Sequence, residues 1–191
     1  GADPVEFRLR HMRDPRARAV IEAAASRAGW RPNAPGGRGE GRGIAYARYK
    51  NLACYCAVVA AVRVDPPSGA IAVTRAVAAV DAGQIVNPDG VSNQIEGGII
   101  QSASWTLKEA VSFDRTRVTT RSWSDYPILR FEEVPQVDVV LLDQPGAPFM
   151  GVGEGSQGPT AAAIGNAIAH ATGKRLRGLP FSPERVKALL A

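Results

Sequence analysis

The residues best placed to do chemistry lie in Gly151-Val152-Gly153-Glu154-Gly155-Ser156-Gln157-Gly158-Pro159, where one carboxylate sits among four glycines. Glycine lets a backbone approach a ligand closely, at a cost in chain entropy. Two readings of Glu154 stay open on this stretch alone: a base held at a site, or a solvated side chain on a surface turn. A second candidate is Gln94 in Asn93-Gln94-Ile95-Glu96-Gly97-Gly98. An amide donates and accepts, which suits the edge of a heterocycle, whereas the ordinary fate of a helix glutamine is solvent. Gln101 follows two turns later on the same side.

Metal and redox chemistry find less support in the side chains. Cys54 and Cys56 are two apart in a strand-like run without further ligands, and read as small buried side chains. His11 and His170 are far apart with no partner pattern, so no residue is assigned as a metal ligand. Arg38 and Arg42 among glycines 36–43 look like an arginine-glycine nucleic-acid segment, but no aromatic is interleaved for stacking. A connecting loop is the expectation, with no nucleic-acid partner. The net charge of +5 would equally favour an anionic cofactor or an acidic partner.

Glu154 and Gln94 need elements to position them. Asp3-Pro4 and Asp14-Pro15 each place an N-cap before a proline, predicting helices over 3–13 and 16–28. These form an N-terminal helical segment with a Gly/Pro-rich loop, residues 1–43, read as support. Residues 44–191 form the second part. Strands are predicted over 44–48, 54–64 and 70–80, the last two as a hairpin across Asp65-Pro66-Pro67-Ser68-Gly69. Their small apolar residues imply a sheet covered on both faces. A helix follows Asn87-Pro88 over 90–110. Gly97 and Gly98 inside it cost about 1 kcal/mol each relative to alanine, a cost met where something packs closely. Tyr126 and Arg130 could line a site or belong to the core. A strand over 136–142, a helix over 160–172 closed by Gly173, and a last helix from Ser182-Pro183 complete an α+β chain of mixed sheets packed with helices. There is no apolar run of membrane-spanning length, and the compartment, cytoplasmic or periplasmic, is not read. The chain opens without Met, as a processed product or a piece of something longer would.

Gly153-Glu154-Gly155-Ser156-Gln157-Gly158 fits G-x-G-x-x-G, so a dinucleotide site using Gly153, Gly155 and Gly158 is one alternative. That fold needs a further parallel strand after the helix, and the sequence offers another helix instead.

With Asp3 to Arg10, Tyr46 to Lys50, Asp81 to Gln101, Tyr126 to Arg130 and Gly151-Val152-Gly153-Glu154 in order along the chain, the sequence resembles the C-terminal part of a molybdenum hydroxylase large subunit. The family is that of xanthine dehydrogenase and aldehyde oxidase, in the branch of isoquinoline 1-oxidoreductase β subunits and nicotinate dehydrogenases. The resemblance implies that Glu154 is the base toward Mo–OH, with hydride transfer to Mo=S. It implies a molybdopterin cofactor in its cytosine dinucleotide form, contacted by Gln94 and flanked by Gly97, Gly98, Gly151, Val152 and Gly153. The substrate would be an N-heteroaromatic or an aldehyde, hydroxylated with oxygen from water. The implied partners are the N-terminal part of the large subunit, a small iron–sulfur subunit, and a cytochrome or flavin subunit. Glu154 just before a helix N-terminus agrees with a carboxylate base. Relatives often continue the motif as Glu-Pro-Gly, unlike Glu154-Gly155-Ser156 here, which leaves the substrate open. A non-catalytic module of the same fold is the other alternative.

Overall fold

The computed structural model describes residues 1–191. Asp3 caps helix α1 (Pro4–His11) by accepting from the N–H of Val5 at 2.8 Å, and Asp14 caps α2 (Pro15–Arg27) through Arg16 at 2.9 Å. Both Asp-Pro starts therefore act as the sequence implies. The sheet is built from β1 (Glu40–Arg48), β2 (Tyr55–Val64), β3 (Ile71–Asp81) and β4 (Gln136–Leu141), in that spatial order. The first three strands are antiparallel, and β4 joins β3 in parallel after the crossover helix α3 (Pro88–Leu107). Helices α4 (Gln157–Thr172) and α5 (Pro183–Leu190) close the chain. No helix is long and apolar enough to cross a membrane.

Side chains alternate across a strand, so one run of small apolar residues supplies two cores. Tyr55, Ala57 and Val59 of β2, with Val77 and Ala79 of β3, face α2 through Ala17, Val20, Ile21 and Ala24. Cys56, Val58, Ala60 and Val62 face the other way, against Ile95 and Ile99 of α3 and Ile164, Ala167 and Ile168 of α4. The sheet is thus covered on both faces, as its composition requires.

The expectation for the Gly/Arg stretch fails. Residues 36–43 do not form a connecting loop throughout: Glu40–Gly43 belong to β1 and pair with Ala60–Arg63. The line drawn between 43 and 44 falls inside that strand. Gly41 and Gly43 are there for closeness. A Cβ at either would strike the α4 backbone, at Ala167 and Ala171 for Gly41 and at Ala163 and Ala167 for Gly43. The glycines let α4 lie directly on the strand, and α4 in turn fixes the loop before it.

At the end of the sheet where β1 and β3 finish, a buried charge ties the layers. Asp81 is wholly buried and accepts from Arg16 Nε at 2.8 Å, the N–H of Gly83 at 2.9 Å and Gln144 Nε2 at 3.3 Å. The ring of Tyr55 lies between the guanidinium groups of Arg16 and Arg48, 4.9 and 4.7 Å from its centroid. The hydrogen bond to Asp81 holds the Arg16 guanidinium above its usual value.

Candidate functional site

Glu154 lies at this same end of the sheet. The peptide turns sharply from Val152 to Gly155, whose N–H donates to the Val152 carbonyl at 3.1 Å, and Glu154 projects exposed from the turn. Its Oε2 accepts a hydrogen bond from the Tyr49 hydroxyl. Tyr49 stands at the start of a short turn between β1 and β2. In that turn Lys50 and Asn51 take positive φ, 50° and 59°, a conformation few side chains adopt without fixed surroundings. The N–H of Tyr49 donates to the Cys54 carbonyl at 3.0 Å, closing the turn.

Helix α3 supplies the second wall. Asn87 caps it by accepting from the N–H of Gly90 at 2.9 Å, and Pro88 occupies the first position. One turn further on, Gln94 Nε2 donates to the Gly153 carbonyl at 2.7 Å, which leaves Oε1 outside that bond. Gln101 Oε1 accepts from Gln157 Nε2 at 2.7 Å, and Ser102 Oγ donates to the Gln157 carbonyl at 2.8 Å. Ser156 sits at the N-cap of α4, but its hydroxyl donates instead to the Ile95 carbonyl at 2.9 Å. The first-turn amides of α4 are therefore not capped by it.

The structure thus brings Glu154, Gln94, Gly151, Val152 and Gly153 together, with Gly97 and Gly98 along the neighbouring face of α3. It sorts the glycines in a way the sequence does not. Gly98 is closely packed: a Cβ there would meet Ser156 Oγ. Gly97 is not, and the expectation of close packing at that position is corrected, since a Cβ would meet nothing within 4 Å. Gly151 and Gly153 are likewise open. Gly155 is the reverse of a spacer for a ligand. It is buried, and Cys54 Sγ occupies the space beside it. Val152 turns partly inward, against the core under α3 and α4.

These surroundings suit a planar, hydrogen-bonding heterocycle. An amide with an unengaged oxygen, exposed peptide edges at Gly151 and Gly153 and the open flank of Gly97 form a cradle that side chains would fill. No group of three or more His, Cys, Asp or Glu gathers to hold a metal ion; the Gln94 amide and the open glycine peptides would suit the organic part of a cofactor. Both thiols are buried among apolar side chains with no further ligand gathered beside them. Burial pushes Cys54 up to about 11 and Cys56 higher still.

Other candidates lie elsewhere. Tyr126 donates to Glu109 Oε2 at 2.8 Å, beyond the far end of α3 and about 20 Å from Gln94 at 1.5 Å per residue. Arg130 is exposed nearby. His170 is a structural bridge: its Nδ1 accepts from the N–H of Arg42 at 3.0 Å, and its Nε2 bonds the Ala34 carbonyl at 2.9 Å. It borders a cavity of about 1170 Å³, which opens at the opposite end of β1 and is lined by neither Glu154 nor Gln94. The polar groups there are largely spent on one another, as in Arg42 to the Gly29 carbonyl and Arg175 to Asn166. Sequence reasoning missed Tyr49, Cys54 and Gln157 as parts of the site. Tyr49 lies within the Tyr46 to Lys50 stretch, but nothing local links it to a carboxylate 105 residues away.

Comparison with known proteins shows the family. The model of the molybdopterin cofactor-binding domain family matches residues 9–135. The chain is 49% identical over 203 aligned residues to a nicotinate dehydrogenase subunit of Pseudomonas putida, covering 100% of this chain and 17% of that protein. It is 39% identical over 184 residues to the beta subunit of isoquinoline 1-oxidoreductase of Brevundimonas diminuta, covering 95% and 23%. Among solved structures, quinoline 2-oxidoreductase from Pseudomonas putida 86 superposes with a TM-score of 0.66 at 29% identity, over 72% of this chain and 18% of that one. The chain spans about a fifth of the length of these relatives. The family match stops before Glu154, whereas the match to the nicotinate dehydrogenase subunit runs through it.

Proposed function

Because the chain belongs to the molybdopterin cofactor-binding domain family, we propose that it is a segment of a molybdenum hydroxylase large subunit in which Glu154 is the catalytic base. One arrangement carries the reading: an exposed carboxylate, held by Tyr49 from one side, on a loop whose preceding peptide is bonded by Gln94 from the other. When bound, the molybdenum cofactor supplies the oxygen-transfer and two-electron chemistry. The chain's own residues do the rest. Oε2 of Glu154 is fixed by the Tyr49 hydroxyl, which leaves Oε1 to take a proton from the attacking oxygen. Gln94 holds the Gly153 peptide in place, and its free Oε1 would accept from a donor on the cofactor. Gly151, Gly153 and Gly97 keep the approach clear.

The substrate class that fits is an N-heteroaromatic compound or an aldehyde, activated at an electron-poor carbon. The relatives named for nicotinate, isoquinoline and quinoline favour the former. A cytosine dinucleotide form of the cofactor, the remaining part of the large subunit, a small iron–sulfur subunit and a cytochrome or flavin subunit complete the proposed assembly. The dinucleotide-binding alternative has no support in the topology, because α4 leads into α5 rather than into a parallel strand. Replacing Glu154 by Gln in the full-length, assembled enzyme tests the proposal. Turnover should fall nearly to zero with molybdenum per subunit close to wild type. Substantial retained turnover would contradict the role of Glu154, and a purified assembly without molybdenum would favour a non-catalytic module.

A further inference from the structure

Gly155 poses a question that backbone freedom does not answer. Seven glycines of the chain have positive φ, and Gly155 is not one of them. Its conformation is open to any residue, so the requirement is for space. A Cβ at 155 would strike Cys54 Sγ, with the Val152 carbonyl at 3.5 Å and Ile95 Cδ1 at 3.8 Å behind it. Cys54 is wholly buried and is walled by the core, so its sulfur has nowhere to swing.

We propose that Cys54 and Gly155 are a matched pair of positioning residues that set how far the Glu154 carboxylate stands above the sheet. The proposal rests on the reading of Glu154 as the base. Cys54 reaches the carboxylate by two routes. Its sulfur is the floor under Gly155, one residue after Glu154. Its carbonyl accepts from the N–H of Tyr49, whose hydroxyl holds Glu154 Oε2. The residues around the pair leave the loop little other adjustment. Ser156 is pinned to the Ile95 carbonyl over Gly98, and Gly153 is pinned by Gln94. An added methyl group at 155 therefore has one outlet, which is to lift the Val152–Gly155 turn outward and carry Glu154 with it. A displacement of about 1 Å at a reacting group can cost on the order of a hundredfold in rate. The thiol itself takes no part in the chemistry.

A double-mutant cycle in the full-length, assembled enzyme tests this. Gly155→Ala should lower kcat by about tenfold or more in the wild-type background, with KM and molybdenum content little changed. In the Cys54→Ala background, where the sulfur is gone, the same substitution should cost less than about twofold. Alkylation of Cys54 by iodoacetamide gives a reading independent of turnover: slow in the wild type and clearly faster in Gly155→Ala, where the lifted turn uncovers the sulfur. If Gly155→Ala fails to assemble, recovery of assembly in the double variant supports the pairing and continued failure overturns it. Equal losses in both backgrounds, or a Gly155→Ala enzyme with wild-type kcat, also overturn it. In that case Glu154→Gln still reports separately: a dead Glu154→Gln enzyme leaves the base intact, and an active one removes it.

Discussion

Asp3 and Glu154 are both carboxylates bonded to an aromatic side chain, and their surroundings give them opposite work. Asp3 is 2% exposed. Burial alone would push its carboxyl up, but the N–H groups of Asn33, Trp30, Glu6 and Val5 outweigh that and hold it below its ordinary value. A group depressed on folding contributes stability above its unfolded value of about 4, and that contribution disappears as pH falls through the lower folded value. The junction of α1 with Trp30 should therefore loosen as pH falls below about 4 and through the lower folded value. Trp30 emission during an acid titration should show the change, and Asp3→Asn should remove that dependence while weakening the junction at neutral pH. Glu154 has no such cage, only one hydroxyl and open space. Both aspartate caps are legible in the sequence because a cap is local: Asp, then Pro, then helix. The roles of Tyr49 and Cys54 are not, because what makes them matter is a partner about a hundred residues away.

The elements show the same division between local and distant causes. The strand hairpin and the Gly173 helix end are written in short stretches and stand where expected, and α3 starts at Pro88, two residues before the expected Gly90. The first half of β1 is not, since alternating Gly and Arg read as loop. Those glycines answer to α4, over a hundred residues later, whose backbone lies where their side chains would be. Gly43→Ala should accordingly cost about 1–3 kcal/mol through overpacking. The loss should appear as reduced hydrogen-exchange protection in β1 and α4 together. Protection lost in β1 alone would mean that the strand does not depend on this contact. Asp81→Ala should be more severe at the other end of the sheet. It strands the Arg16 guanidinium and two further donors, with a cost of about 3 kcal/mol or more and loosening of α2 from β3.

At the scale of the whole molecule, the chain is about a fifth of the relatives it matches, and its surface has the character of a part. Between α3 and β4 the chain runs without long regular structure and presents Trp123 at 84% exposure and Phe131 at 97%. Large aromatics so exposed fit a surface that another part of the assembly covers. Expressed alone, the chain should retain little molybdopterin, and Trp123 emission should shift to the blue when the rest of the large subunit is present. Stoichiometric molybdenum in the isolated chain would contradict that dependence. The cradle of Gln94, Gly97, Gly151 and Gly153 would be one wall of the proposed site, with Glu154, the proposed base, beside it. The most direct test is a rapid-mixing, single-turnover measurement on the assembled Glu154→Gln enzyme, with molybdenum content matched to wild type. The first-turnover rate should fall by about 10²–10⁴-fold, the range that loss of a general base produces. A first-turnover rate within about tenfold of wild type would contradict the assignment of Glu154 as the base.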